Sequence, residues 1–191
     1  RLGFEMKNIP SMVDNFSILK SSTSAFDETW EPVWGEVKKI RNQYNELEIT
    51  LEQGSPKRTV IIRFRLYDDG LGFRYEFPNQ KNLSYFTIAE EITQFNLGKD
   101  YTAFWIRGDY DTNEYNYTTS LLSEVSHQID AATEEISAQT PTKEISVQTP
   151  LMLKGNGVYI NIHEAALKDY PAMLLELDST GVILSTHLTP D

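Results

Sequence analysis

Hydrophobic residues recur at every second position over much of the chain. In Arg58–Tyr67, Val60, Ile62, Phe64 and Leu66 share one side, while Arg63, Arg65 and Tyr67 share the other. That period of two marks a half-buried strand. Asp68-Asp69-Gly70 follows as a turn signal, and Leu71–Phe77 then alternates Phe73, Tyr75 and Phe77 with Arg74 and Glu76. The pair predicts a β-hairpin, closed by Pro78-Asn79.

Weaker versions of this pattern predict strands at Leu2–Met6, Phe16–Lys20, Thr29–Trp34, Glu46–Glu52, Ser84–Ala89 and Glu91–Asn96. Further strands are predicted at Ala103–Ile106, Leu151–Leu153, Val158–Ile162, Ala172–Leu177 and Val182–Thr186. One short helix is predicted, over His163–Lys168; it is too short to serve as a core helix. Strand–helix alternation is absent, so a doubly wound fold is excluded. The short spacings and intervening turns predict an all-β sandwich or barrel.

Residues 123–150 differ in character. They are rich in Ser, Thr, Gln, Glu and Ala, and Glu135–Pro141 (EISAQTP) recurs as Glu144–Pro150 (EISVQTP). Two copies do not make a solenoid. The stretch reads as a polar insertion, either a duplicated loop or a β-arm, or alternatively as a repeated contact for a ligand or partner. Equal copies can also compete for one strand register.

Charge and composition narrow the function classes. The 191 residues carry 17 Lys+Arg against 28 Asp+Glu, a net charge of −11. Nothing supplies the basic stripe that phosphate backbones require, so nucleic acid is excluded as a partner. The chain has no cysteine, which excludes disulfides, thiolate metal sites and cysteine nucleophiles. No apolar run approaches the roughly 18 residues of a membrane span, so no membrane partner is expected. The chain starts at Arg1 without a methionine or signal-peptide core and stops at Asp191 without a capping element. These ends predict an excised domain or fragment, with uncovered sheet edges.

Candidate chemistry is sparse. Asp109, Asp111 and Asn113 alternate as in a calcium loop, but the glycine and later glutamate of an EF-hand are missing. A turn with solvated acids is the simpler reading. His163-Glu164 ends the alternating strand Val158–Ile162. Glu164 is either a helix-start residue favoured by the helix dipole or a carboxylate projecting from a strand end into a cleft. Among 28 acids, no glycosidase-type pair can be singled out. No G-x-S-x-G, P-loop or G-x-G-x-x-G motif is present. His127 and His187 have no comparable context. Trp30 and Trp34, spaced to face one side of a strand, and Trp105 are candidate sugar-stacking platforms, although such rings are also ordinary core residues.

Several segments together carry a family resemblance. Trp30–Glu36 (WEPVWGE) with Arg41–Glu46 (RNQYNE), the hairpin Arg63–Tyr75, and Glu90-Glu91 with Thr93 and Phe95 occur in order. Thr149-Pro150-Leu151, Ile162–Leu167 (IHEAAL) and Tyr170-Pro171 follow. In this order they resemble the N-terminal domain of glycoside hydrolase family 97, over most of the chain.

The resemblance implies a β-super-sandwich of the galactose-mutarotase-like kind, here as part of that domain. It implies an exo-acting α-glycosidase, α-glucosidase or α-galactosidase, of polysaccharide-scavenging bacteria, located in the periplasm. A (β/α)8 barrel domain of the same polypeptide would be the partner and an oligosaccharide the substrate. The acid and the base or nucleophile belong to the barrel, so no catalytic residue is assigned to this chain, and the isolated fragment is expected to be inactive. The N-terminal domain is implied to complete the pocket wall and to supply a calcium-ligating glutamate. The residue matching that motif is Glu164. Calcium takes six to eight oxygens, so the remaining ligands would come from the barrel. Two rival readings are a free-standing carbohydrate-binding module built on Trp30, Trp34 or Trp105, and a purely structural domain.

Overall fold

The computed structural model of the chain describes residues 1–129 and 145–190. In chain order the first strands are β1 (Phe4–Met6), β2 (Phe16–Trp30), β3 (Ile40–Gln53), β4 (Arg58–Leu66), β5 (Leu71–Glu76), β6 (Ile88–Glu91) and β7 (Gln94–Asn96). They are followed by β8 (Thr102–Trp105), β9 (Thr118–Leu121), β10 (Ser146–Gln148), β11 (Leu151–Gly155), β12 (Val158–Ile162), β13 (Met173–Leu177) and β14 (Ile183–Leu188). The pairings between these strands are antiparallel. The all-β sandwich expected from the alternation is what forms. Two compact units result, one from Arg1–Met6 with Ile88–Asp191, the other from Lys7–Thr87.

The first unit is a two-sheet sandwich. One sheet has the order β10-β13-β14-β7, the other β12-β11-β8-β9, and β1 pairs with β6 as a separate two-stranded sheet. Ala103, Trp105, Leu151, Leu153 and Ile162 from one sheet meet Val147, Leu175 and Leu184 from the other in a single core. In β14 every second residue, Leu184, Thr186 and Leu188, is buried; this is the period of two acting as the sequence predicts. Gly108 approaches β10 so closely that an added Cβ would lie 2.0 Å from the Ser146 hydroxyl. There Gly108 N–H donates to Ser146 O and Gln148 N–H to Ile106 O.

The second unit is one four-stranded sheet of order β2-β3-β4-β5. The predicted hairpin forms with Leu66 opposite Leu71, and Tyr67 N–H donates to Gly70 O at 2.8 Å. Leu47, Ile49, Leu51, Val60, Ile62, Phe64, Phe73 and Tyr75 line one face by register. The other face carries ion pairs: Arg63 contacts Glu46, Glu48 and Glu76, Arg65 contacts Glu46, and Arg74 contacts Glu76. At one end Arg58, 1 % exposed, donates to Gln53 and to the carbonyls of Pro10 and Ser11.

Three expectations need correction. The predicted strands Phe16–Lys20 and Thr29–Trp34 are not separate: β2 runs unbroken from Phe16 to Trp30 and stops there. Its Ser21–Ala25 stretch lacks apolar alternation, and pairing with β3, residue for residue, supplies the order instead. Trp34 lies beyond the strand, next to Pro32 and a Gly35 at φ 137°, so it does not share a strand face with Trp30. His163–Lys168 forms no helix, since Ala166 sits at φ 53° and Ala165 to Lys168 are exposed, leaving no face to bury. In the stretch read as a duplicated loop or β-arm, the described residues carry regular structure. Its second repeat copy contains the buried strand β10, paired with β13, and residues 125–129 are helical. The first copy, Glu135–Pro141, lies outside the described residues.

Candidate functional site

The site is built in the sandwich unit at the end of β12. Ile162 is buried in the core and anchors the strand; the chain then leaves the sheet at His163 and presents Glu164. With no helix behind it, Glu164 does not cap a helix start. Its carboxylate instead accepts from Met173 N–H at 2.9 Å and from the Thr149 hydroxyl at 3.1 Å, one bond to each oxygen. The backbone carbonyl of Glu164 lies 2.8 Å from His163 Nδ1. Three segments therefore fix one side chain: the end of β12, the start of β13 and the approach to β11.

Burial is the main influence on the Glu164 carboxyl and pushes its pKa above the usual carboxylate range. The bonds from Thr149 and Met173 oppose this; the negative charge of Glu91 adds to it, and His163 opposes it. Each carboxylate oxygen keeps acceptor capacity beyond its one bond. Among the described residues no group of three or more His, Asp or Glu could hold a metal. Calcium takes six to eight oxygen ligands, so Glu164 by itself could not complete such a site.

Glu91 is placed by the same surroundings. It accepts from Tyr170 Oη at 2.7 Å and from Thr93 Oγ1 at 2.5 Å. Glu90-Glu91, Thr149-Pro150, Ile162–Leu167 and Tyr170-Pro171, far apart in sequence, are therefore linked pairwise by hydrogen bonds and by charge within one unit.

Sequence patterns missed His187. Its Nδ1 lies 3.1 Å from Glu90 Oε2 and 3.4 Å from Glu176 Oε1, and its Nε2 lies 2.6 Å from Tyr110 Oη. A lone histidine carries no spacing signal; the partners come from β6, β13 and a loop. The acidic loop at Asp109 is a turn: Asp109 accepts from the amides of Asp111 and Thr112 and from Tyr115 Oη. Burial pushes the Asp109 carboxyl up, but these bonds and Arg107 hold it below its ordinary value. Trp105 is 5 % exposed and donates to Ser120 Oγ at 3.1 Å, so it is a core residue and no sugar platform. Trp34, by contrast, is 87 % exposed.

Comparison with known proteins decides the family. The family profile described as glycosyl-hydrolase 97 N-terminal matches residues 1–190. The chain belongs to the glycoside hydrolase 97 N-terminal family. A variant of a glycoside hydrolase family 97 enzyme from Pseudoalteromonas sp. strain K8 superposes with a TM-score of 0.83 at 34 % identity, over 99 % of this chain and 26 % of that one. A family 97 enzyme from the same strain in complex with acarbose gives 0.80 at 34 % identity, with the same coverage of 99 % and 26 %. A retaining alpha-galactosidase of Bacteroides thetaiotaomicron is 24 % identical over 189 residues, 93 % of this chain and 25 % of that protein. The chain thus spans about a quarter of the length of these relatives, and the family 97 N-terminal domain is one part of a larger glycosidase. No helix among the described residues is long and apolar enough to cross a membrane.

Proposed function

We propose that this chain is the non-catalytic N-terminal domain of an exo-acting α-glycosidase. It completes the substrate pocket of a following (β/α)8 barrel and contributes Glu164 to a calcium ion shared with that barrel. The observation that carries the reading is the Glu164 carboxylate itself. It projects from a strand end, is held by Met173 N–H and Thr149 Oγ1, and is raised in pKa by burial. Those two bonds hold the carboxylate on a defined path without using all its lone pairs. Glu91 adds negative charge nearby, and Tyr170 holds Glu91 in turn. A bound calcium would orient and polarise groups around the leaving oxygen of an oligosaccharide. Periplasmic location belongs to the same reading, through the polysaccharide-scavenging habit that the family resemblance implies.

The test is Glu164→Gln in the full-length enzyme. The expected result is a calcium affinity weaker by roughly tenfold or more, together with lower glycosidase activity that excess calcium partly restores. Unchanged activity with unchanged calcium dependence would sink the ligand assignment. The rival binding-module reading rests on the exposure of Trp34 and Trp30. Saturable glycan binding to a protein lacking the barrel would favour it.

A further inference from the structure

The loop from His163 to Ala172 joins β12 to β13 and carries Glu164 near its start. Apolar burial does not hold it. Leu167 is 48 % exposed, and within the loop only Glu164, Tyr170 and Pro171 are half-buried. Its backbone is also costly in isolation. Ala166 and Asp169 both sit at φ 53°, a left-handed conformation that persists only where the surroundings fix it. Two polar anchors lie at the half-buried positions. Glu164 is bound by Met173 N–H and Thr149 Oγ1, and Tyr170 donates its hydroxyl to Glu91 Oε2 at 2.7 Å.

Glu91 is a fixed post for that second anchor. It ends β6, opposite Phe4 of β1. Its other carboxylate oxygen accepts from Thr93 Oγ1, on a residue 1 % exposed, and its backbone carbonyl accepts from Thr186 Oγ1. Thr186 N–H donates to Thr93 O at 2.9 Å, which ties the post to β14. Tyr170 therefore joins a poorly buried loop to a rigid strand, through a hydrogen bond to a charged acceptor, the stronger class. Pro171 follows Tyr170 and stiffens the short link to Met173, whose amide holds one Glu164 oxygen.

We propose that Tyr170 and Glu91 are positioning residues for the Glu164 carboxylate. Their hydrogen bond fixes the end of the loop that supplies the Met173 amide, and so the direction in which Glu164 presents its spare lone pairs. The inference rests on the reading of Glu164 as a calcium ligand shared with the barrel, and it gives Glu91 no ligand role.

The test compares Tyr170→Phe, Glu91→Ala and Glu91→Gln in the full-length enzyme. Tyr170→Phe deletes one hydroxyl and changes no charge, so its effect on a bound cation travels through position. The readouts are hydrogen exchange of peptides covering residues 163–175 and the Kd for calcium by titration calorimetry. Tyr170→Phe and Glu91→Ala should each speed exchange of the loop roughly fivefold or more and weaken calcium binding by a similar factor, with exchange of the sandwich strands unchanged. Glu91→Gln keeps a carbonyl oxygen for Tyr170 and should restore most of the protection. Combining Tyr170→Phe with Glu91→Ala should add little to Glu91→Ala alone, as expected for two partners of one bond.

Unchanged loop exchange in Tyr170→Phe would overturn the proposal. Calcium binding lost equally in Glu91→Gln and Glu91→Ala, with the loop still protected, would make Glu91 a ligand and overturn it as well. Loosening spread over the whole sandwich would mark the pair as purely structural and reject the positioning role. A loosened loop with unchanged calcium Kd, where Glu164→Gln weakens that Kd, would reject it too. If Glu164→Gln leaves the Kd unchanged, the ligand reading fails by itself, and faster loop exchange in Tyr170→Phe still supports the positioning of the Glu164 side chain.

Discussion

The two units solve the burial problem in opposite ways. The sandwich unit closes its own core: Ala103, Val147, Leu151, Leu153, Leu175 and Leu184 are fully shielded by each other's sheets. The sheet unit buries few apolar side chains and is organised largely by polar contacts. Arg58 gathers Gln53 and two carbonyls, and Arg63 gathers three glutamates. Strand β2 is exposed along nearly its whole length. Each unit is accordingly vulnerable in its own place. A dry core fails by cavity formation, whereas a charge-organised sheet fails by losing the cation that its carboxylates share.

Core truncation should separate the two units most strongly. Leu175→Ala or Leu184→Ala leaves a cavity in the sandwich and should cost about 3–4 kcal/mol by urea unfolding. Leu66→Ala, 57 % exposed on the other sheet, should cost under about 0.5 kcal/mol. Equal losses would show that the sheet unit is as well packed as the sandwich.

Arg58→Met comes next. It leaves Gln53 and the carbonyls of Pro10 and Ser11 without their donor and should cost roughly 2–3 kcal/mol. Hydrogen exchange should place the resulting loosening in Lys7–Thr87, with the sandwich amides unaffected.

Arg63→Met probes the charge-organised sheet through pH. Hydrogen bonds from Arg63 are the largest cause of the low pKa of Glu76, which is brought from 4.5 down to about 2. A carboxylate with a depressed folded pKa adds stability above its unfolded value and loses it as pH falls toward the folded one. The native protein should therefore lose stability between about pH 4.5 and 2. Arg63→Met should be less stable at neutral pH by roughly 1–2 kcal/mol and show a flatter acid limb in melting experiments.

Among the polar substitutions, the smallest stability effect is expected at Glu164. Its carboxyl is raised in pKa, so ionisation costs stability as pH climbs from the ordinary glutamate range through the raised value. Glu164→Gln should remove that pH dependence and change neutral stability by under about 1 kcal/mol, while altering calcium response in the full-length enzyme. A large loss of fold stability would instead mark Glu164 as a structural residue.

Much of the fold is legible because alternation is local. The Arg58–Glu76 hairpin is readable from Val60, Ile62, Phe64 and the Asp-Asp-Gly turn, and its register follows. The full length of β2 is not readable, since Ser21–Ala25 carries no apolar pattern and becomes a strand only through its partner β3. Strands Thr118–Leu121 and Ser146–Gln148 escape the pattern for the same reason: their burial comes from neighbours distant in the chain. Propensity favours a helix at His163–Lys168, yet a turn with positive φ at Ala166 takes its place.

At the candidate site the sequence singles out Glu164 but does not show what holds it. The Thr149 hydroxyl and Met173 amide are 15 and 9 residues away, and Tyr170 reaches Glu91 across 79. His187 with Glu90 and Glu176 is invisible in the sequence, because no spacing rule joins three separate strands.

The β class, the Arg58–Phe77 hairpin and, through ordered motifs, the family resemblance all follow from the amino-acid order. Those properties rest on period-two alternation and short local patterns, which a linear chain displays directly. Three further properties exist only in the folded chain. Glu164 belongs to a strand end instead of a helix, Trp105 is core while Trp34 is surface, and Phe16–Trp30 is one strand instead of two. Each of these depends on which distant residues arrive as neighbours, and burial and hydrogen-bond partners are properties of that arrangement.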